Sequence, residues 1–231
     1  MEKIKLFLGV LFVSCIFIVG SVNGSKAITK NIGKSVEKSL EKLEIKGFRS
    51  ATFGQTQEEV LKSIKSDFGI NVKDVKISRH KKDKTTTLSI MVKSFEPFSV
   101  DGFITYILGY KTKKLFKVNV YWVSRAKTKK DLLPFTMSAL SLSEYYSKYD
   151  LSDYNTFQGN KIKNGIILLG LIHKKSPNTL MELVLSNMNI TINKKKEFDV
   201  DIIKNKNAIV KITYIADTQK IDVFTIRKGE F

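Results

Sequence analysis

The chain is poor in the side chains that bind transition metals or form disulfide bonds. Its 231 residues include one cysteine, Cys15, and two histidines, His80 and His173. Because Cys15 lies in an apolar run near the N-terminus, the rest of the chain can form no disulfide bond. Each histidine stands beside lysines and has no cysteine near it, which is a poor pattern for a zinc site. We therefore expect no metal site and no cofactor.

Sequence patterns of common enzyme classes are also missing. The chain contains no Gly-x-Ser-x-Gly nucleophile turn, and the Asp-Phe-Gly at 67–69 has no accompanying glycine-rich or His-Arg-Asp loop. We interpret that tripeptide as a helix end and predict no catalytic residue. The pairs Glu58 with Glu59 and Asp199 with Asp201 leave one alternative open, a periplasmic hydrolase that uses carboxylates.

Positive charge is abundant, but arginine is scarce. Forty lysine and arginine residues face 22 acidic ones, for a formal net charge of +18, and only four of the cations are arginines. Proteins that recognise particular bases or phosphates rely on the bidentate arginine fork. We therefore predict no specific nucleic-acid partner and expect a protein or an anionic surface instead. Any nucleic-acid binding should be weak and salt-sensitive.

The N-terminus has the three zones of a secretory signal peptide. Lys3 and Lys5 precede an apolar run at 6–20, and small residues follow, with cleavage expected after Ala27 or, alternatively, after Gly24. The run is shorter than the about 20 residues of a membrane span, although a retained anchor remains the alternative. We predict a signal peptide at 1–27 and a secreted or periplasmic protein. Its removal takes away three basic residues and one acidic residue, which leaves a charge of +16.

A basic amphipathic segment follows the signal peptide. Apolar residues at helical spacing alternate with lysines over 28–45, and we predict a helical leader over 28–46. The apolar stripe of such a helix either docks on its own domain or lies on an anionic membrane. The sequence leaves both interpretations open.

Residues 47–126 have the pattern of one helix followed by four strands. Thr56 and Glu59 form a capping box at the start of the helix, and Gly69 is placed to end it. Strand-like runs follow at 72–78, 85–92, 103–110 and 115–123. The last run alternates apolar and polar residues, which is typical of a sheet with one face in water.

Residues 127–231 repeat that order. A helix is expected at 136–149, a polar loop at 193–207, and strands at 165–173, 180–192, 208–216 and 221–227. Ile-Thr-Tyr-Ile occurs at 104–107 and again at 212–215, where each copy is expected to open a hairpin. We therefore predict an α+β protein of two related units, 47–126 and 127–231, each with one helix and a four-stranded antiparallel sheet.

Three segments of the chain are distinctive: Gly-Phe-Arg-Ser-Ala-Thr-Phe-Gly at 47–54, the Asp-Phe-Gly at 67–69, and Gly-Tyr-Lys-Thr-Lys-Lys-Leu at 109–115. Together they resemble a family of uncharacterised exported proteins of plant-associated alphaproteobacteria. The likeness covers most of the chain after the leader and is best over 47–122. It implies export and no particular activity. The abundance of Lys, Ile and Asn is typical of an AT-rich genome, so a host-restricted bacterium and a host-directed effector are implied.

A looser likeness concerns the fold alone. A capped helix followed by an antiparallel sheet is similar to the small α+β modules of outer-membrane assembly lipoproteins and of β-lactamase inhibitor proteins. Function does not follow from such a fold analogy.

Two places are candidates for contacts with a partner. One is an aromatic cluster after the second helix, and the other is a basic turn. The cluster consists of Tyr145, Tyr146, Tyr149, Tyr154 and Phe157. The turn consists of Tyr110, Lys111, Lys113 and Lys114. Tyr145 and Tyr149 have helical spacing and could equally be core residues. From this pattern we predict a non-enzymatic protein that binds a macromolecule through one sheet face or the groove between its units.

Overall fold

A computed structural model describes residues 40–175, 177–192, 198–203 and 206–225. The predicted signal peptide at 1–27, and most of the predicted helix at 28–45, lie outside these residues. The helix prediction is wrong for 40–45, because these residues are not helical and Lys42 instead forms an isolated parallel bridge with Asp150. In the described part of the chain, no helix combines the length and apolarity that crossing a membrane requires.

The elements run in the following order. In the first half they are β1 (Gly47–Phe48), β2 (Ala51–Thr52), α1 (Gln57–Phe68), β3 (Lys76–Arg79), β4 (Thr86–Phe95), β5 (Val100–Leu108) and β6 (Leu115–Val123). In the second half they are α2 (Lys129–Ser147), β7 (Tyr154–Phe157), β8 (Asn160–Ile162), β9 (Gly165–His173), β10 (Leu180–Ser186), β11 (Met188–Ile192), β12 (Phe198–Ile202) and β13 (Ile209–Ile215).

Nine strands form one continuous antiparallel sheet. Its order is β3-β4-β5-β6-β13-β10-β9-β7, with β8 also paired to β9. The predicted α+β class is confirmed. The prediction of two four-stranded sheets is not confirmed in that form, because β13 pairs over its whole length with residues 117–123 of β6 and joins the two halves edge to edge.

Local hydrogen bonds fix both ends of α1. The Glu59 carboxylate accepts from the Thr56 amide at 2.7 Å, and the Thr56 hydroxyl accepts from the Glu59 amide at 3.4 Å. Gly69 ends the helix with φ 67°, a left-handed conformation that glycine adopts without steric cost. The capping box and the glycine stop are therefore confirmed.

The second helix begins earlier than predicted. Thr128 caps it by accepting from the Asp131 amide at 3.2 Å, and the helix then continues through Pro134. Pro134 is the sixth residue of the helix, beyond the first turn, so it removes one helical hydrogen bond without ending the helix.

Several other boundaries are wrong in the second half. The predicted strand 180–192 is two strands, β10 and β11, and the predicted loop 193–207 contains β12, which pairs with β11. The predicted strand 221–227 is wrong over 221–225, which form no strand, and 226–227 lie outside the described residues. After β13 the chain turns away instead of opening a hairpin.

Both helices cover the same side of the sheet. Phe68 of α1 meets Phe95, which stacks on Trp122 at 5.4 Å, and Phe135 of α2 reaches Trp122 through Phe98. This aromatic column and the inward residues of the strands form one apolar core. The opposite side of the sheet, which we call the open face, is not covered by α1 or α2. Its centre lies at the β6–β13 pair.

Candidate functional site: the open face of the sheet

A row of polar side chains crosses the middle of the open face. Strand register aligns Ser89, Thr105, Asn119, Thr213 and Glu182 on neighbouring strands. The side-chain nitrogen of Asn119 donates to Thr105 Oγ1 at 3.2 Å, and the Thr213 hydroxyl donates to Asn119 Oδ1 at 3.1 Å. These three side chains are between 4 and 9% exposed. The row therefore fixes the sheet across its centre.

Apolar and aromatic side chains lie on one side of the polar row. Register places Met91, Phe103, Tyr121, Lys211 and Val184 next to one another across five strands. Met91 is 59% exposed and Phe103 is 40% exposed. The Phe103 and Tyr121 rings are 6.2 Å apart, and burial raises the pKa of the Tyr121 hydroxyl. Met91 and Phe103 therefore form the exposed apolar part of this row.

A second mixed row lies on the other side. It contains Thr87, Ile107, Lys117, Ile215 and Leu180 in register. Burial and the charge of Lys211 lower the pKa of Lys117, which the charge of Glu182 partly opposes. The lysine and its apolar neighbours are partly buried, so a partner that covers them would need to supply an acidic group for Lys117.

The C-terminal segment 217–225 bounds one end of the open face. The Asp222 carboxylate accepts from the amides of Lys111 at 2.9 Å and Thr112 at 2.8 Å, and also from the Thr112 hydroxyl. The Phe224 amide donates to Asp83, which lies in the β3–β4 connection. Ile221 and Val223 then enclose a cavity of about 220 Å³ against the sheet. We call residues 217–225 the strap.

The basic turn that the sequence singled out is the β5–β6 connection, and its contacts are largely intramolecular. The Tyr110 ring meets Phe224 edge-on at 5.4 Å, while the Lys113 ammonium lies 5.0 Å from the Tyr110 ring centre and donates to the Tyr110 carbonyl. Lys111 gives its amide to the strap, and Lys114 is exposed. A role of this turn in binding stays a prediction.

The predicted aromatic cluster is divided among three places. Tyr145 and Tyr149 share a hydroxyl hydrogen bond of 2.7 Å on the outer surface of α2. Tyr146 bonds Tyr214 at 2.9 Å in the core, and Tyr154 is buried, with its hydroxyl donating to the Leu43 carbonyl. The Tyr145 ring also meets the Tyr146 and Tyr149 rings edge-on at 5.4 and 5.5 Å, so these three tyrosines adjoin although their hydroxyls have different partners. Tyr154 instead packs on His173.

Phe157 lies apart from these tyrosines, on the open face. It pairs with Gly170, where an added Cβ would lie 2.0 Å from the Phe157 ring. The glycine therefore leaves room for the ring to lie flat against β9. Of the predicted cluster, only Phe157 belongs to the candidate surface.

Sequence reasoning missed most of the open face. The alternation over 115–121 indicated a face in water, but it did not show which strands would stand beside β6. The signal that could have found it is the repeated Ile-Thr-Tyr-Ile, because its two threonines flank Asn119 on the open face. Its two tyrosines, Tyr106 and Tyr214, likewise flank Val118 on the helix side.

The carboxylate pairs considered from the sequence differ in their surroundings. Glu59 is engaged in the α1 cap, where the Thr56 amide and hydroxyl lower the pKa of its carboxyl, and Glu58 lies beside it in the first helical turn. Asp199 and Asp201 lie on β12. Across the described ranges, no group of three or more His, Cys, Asp and Glu residues is arranged to hold a metal ion.

Comparisons with known proteins give no family for the chain. No protein-family model, no curated protein and no solved structure matches it.

Proposed function

We propose that the chain is an exported, non-enzymatic binding protein that docks an acidic and partly apolar surface of another protein on its open face. As a secreted protein of a host-associated bacterium, it would act as a host-directed effector. The observation that carries the proposal is the exposure of Met91 and Phe103 beside the polar row, whose central side chains bond to one another.

The composition of the open face supports a protein partner. Exposed apolar side chains on a rigid sheet are typical of interaction sites, since covering them releases water without ordering a flexible loop. Lys117 and Lys211 stand among these apolar residues, and the chain without the predicted signal peptide carries a formal charge of +16. An acidic partner would therefore be attracted at long range and could pair with these lysines at contact.

We propose further that the two halves of the sheet are related units. Read outward from the β6–β13 pair, the first half contributes β6-β5-β4-β3, and the second half contributes β13-β10-β9-β7 together with the short strand β8 beside β9. Each half also contributes one long helix to the same side. The repeated Ile-Thr-Tyr-Ile supports a related packing environment, although its copies occupy β5 and β13, which are not equivalent strands in this order.

A capture experiment with face variants tests the docking proposal. The protein is used as bait against bacterial envelope and host extracts, beside a double variant Met91→Glu/Phe103→Glu. The matched control is Val72→Glu/Ile77→Glu, two side chains that are 52% and 44% exposed and lie outside the open face. A captured protein is then purified, and its affinity is measured for all three baits.

We expect the open-face variant to weaken the affinity at least tenfold and the control variant to leave it unchanged. If both variants lost affinity equally, or if neither lost affinity, the open face would not be the binding surface. Capture that nuclease treatment abolishes would show a nucleic-acid partner. Turnover in a hydrolase substrate panel, lost on replacing one carboxylate and without a captured partner, would establish the enzyme instead.

A further inference from the structure

A second pocket lies on the helix-covered side, at the junction between the two halves of the chain. It is bordered by the start of β5, the connection from β6 to α2, and the first turns of α2. Its volume is about 380 Å³, within the range of sites that hold small organic ligands. We call it the junction pocket. Because it is separate from the open face, ligand binding there is independent of the proposed function.

Apolar side chains form the floor of the junction pocket. Phe98, Val100, Pro134 and Phe135 line it. The Phe98 ring packs 4.8 Å from Trp122 and 5.0 Å from Phe135, so the aromatic column of the core holds the floor in place. A preformed apolar floor accepts an apolar ligand body with little cost of ordering.

Two cations stand at the mouth of the pocket. Arg125 and Lys127 line it and are exposed. The nearest carboxylate to Arg125 is Asp101, at 3.6 Å, and Asp101 also lies 3.4 Å from Lys93, so one anion is shared by two cations. Lys127 makes no ion pair within the part of the chain that the structure describes.

The carboxylate that lines the pocket has a structural partner of its own. Asp131 accepts from the Thr128 hydroxyl at 2.7 Å, as part of the α2 cap. The hydrogen bond orients this carboxylate toward the cap but leaves its negative charge, so the charged side chains that line the pocket, Arg125, Lys127 and Asp131, sum to one net positive charge. An anionic group that enters can bridge the Arg125 guanidinium and the Lys127 ammonium.

We propose that the junction pocket binds an amphipathic monoanion, an aliphatic or aromatic carboxylate or sulfonate. The apolar body would lie on Phe98 and Phe135, and the anionic group would meet Arg125 and Lys127. Charge selects the anion over a neutral or cationic analogue, because a cation would be repelled by the two side chains at the mouth.

Energy transfer from Trp122 provides a measurement of probe binding. Trp122 is the only tryptophan of the chain and is in ring contact with Phe98 in the floor. The probe is 8-anilinonaphthalene-1-sulfonate, an aromatic sulfonate, added to the full chain as isolated from expressing cells. Energy transfer also reaches probe bound to neighbouring surfaces of the domain, so the part of the signal that the pocket variants below remove is the part assigned to the junction pocket. Decanoate, decanol and decyltrimethylammonium are then added as competitors.

We expect saturable energy transfer that decanoate reverses at concentrations about tenfold lower than decanol or decyltrimethylammonium. The double variant Arg125→Ala/Lys127→Ala should weaken the affinity for the probe about tenfold, which corresponds to about 1.4 kcal/mol of binding free energy. The matched control is Arg79→Ala/Lys81→Ala, an arginine and a lysine with the same spacing, both exposed at the other end of the strands. It should leave the affinity unchanged.

A third variant, Ser138→Phe, places a ring in the pocket without changing charge and should abolish the transfer. Circular dichroism and the urea midpoint establish that each variant is folded. Equal competition by decanoate and decyltrimethylammonium would overturn the proposal. So would equal weakening by the two double variants, or unchanged transfer in folded Ser138→Phe.

Discussion

Thr213 of β13 donates a hydrogen bond of 3.1 Å to the side-chain oxygen of Asn119, which lies opposite it on β6. Asn119 in turn donates to Thr105 on β5, so one amide side chain uses its acceptor toward one half of the sheet and its donor toward the other. The bond is buried and lies at the seam where the halves meet.

We expect Asn119→Ala to destabilise the protein by about 2 kcal/mol, because it removes two hydrogen bonds and leaves two threonine hydroxyls without their partner. Ser89 lies at the end of the same row, is half-buried, and serves as the control; Ser89→Ala should cost less than about 0.5 kcal/mol. Urea unfolding followed by circular dichroism measures both. Equal losses of unfolding free energy in Asn119→Ala and Ser89→Ala would show that the hydrogen bonds of Asn119 do not stabilise the protein.

The two tyrosines of the repeated tetrapeptide differ in their hydrogen bonding. Among the described residues, the Tyr106 hydroxyl is the one buried side-chain nitrogen or oxygen that has no hydrogen-bond partner. The Tyr214 hydroxyl is hydrogen-bonded to the Tyr146 hydroxyl at 2.9 Å. Burial raises the pKa of both hydroxyls. We expect Tyr106→Phe to leave the free energy of unfolding unchanged or to increase it by about 1 kcal/mol, since no bond is lost.

Tyr214→Phe should lower the free energy of unfolding by about 1 kcal/mol, because it leaves the half-buried Tyr146 hydroxyl without its partner. The two variants remove the same atom from tyrosines that stand on either side of Val118 in one row of the sheet, so each is the control for the other. Thermal and urea unfolding give the comparison. A larger loss for Tyr106→Phe than for Tyr214→Phe would contradict the assignment.

Asp222 should make attachment of the strap dependent on pH. Burial raises the pKa of its carboxyl, but the hydrogen bonds from Thr112 and Lys111 outweigh it and leave the pKa below the usual 3.8. Because the folded pKa is depressed, the stabilisation is complete above the unfolded pKa and is lost as pH falls through the folded one. The amide resonances of Lys111 and Thr112 should therefore shift together below about pH 4.

At neutral pH, Asp222→Ala should give the Lys111 and Thr112 amide resonances that the unmodified protein shows at low pH, where the strap is detached. Asp217→Ala is the control, since Asp217 accepts only from Gln219 within the strap itself. A low-pH shift that persists in Asp222→Ala would assign the titration to another group.

Residues 1–27 should direct export. A fusion of this segment to a reporter that is active only outside the cytoplasm is expected to show activity, because the segment has the charged, apolar and small-residue zones of a signal peptide. Phe12→Lys places a charge in the apolar run and should abolish the reporter activity. Val22→Ala lies beyond the run and should leave the reporter activity unchanged. Reporter silence together with intact protein in the cytosol would refute export.

The amino-acid sequence determined the features of the fold that depend on near neighbours. The Thr56–Glu59 box and Gly69 fixed α1, because donors and acceptors three or four residues apart meet as soon as the helix forms. The bounds of β6 and β9 followed from runs of apolar and β-branched residues. These features need no knowledge of distant parts of the chain.

Only the tertiary structure decided which surfaces exist. The β6–β13 pair joins residues about 90 positions apart, such as Asn119 and Thr213, and it turns two expected sheets into one. The same long-range packing divided the tyrosine cluster and placed the strap on the basic turn. Periodicity states which side chains share a face of one element, but the partner of that face is set by the burial of apolar area over the whole chain. The open face and the junction pocket arise from that choice.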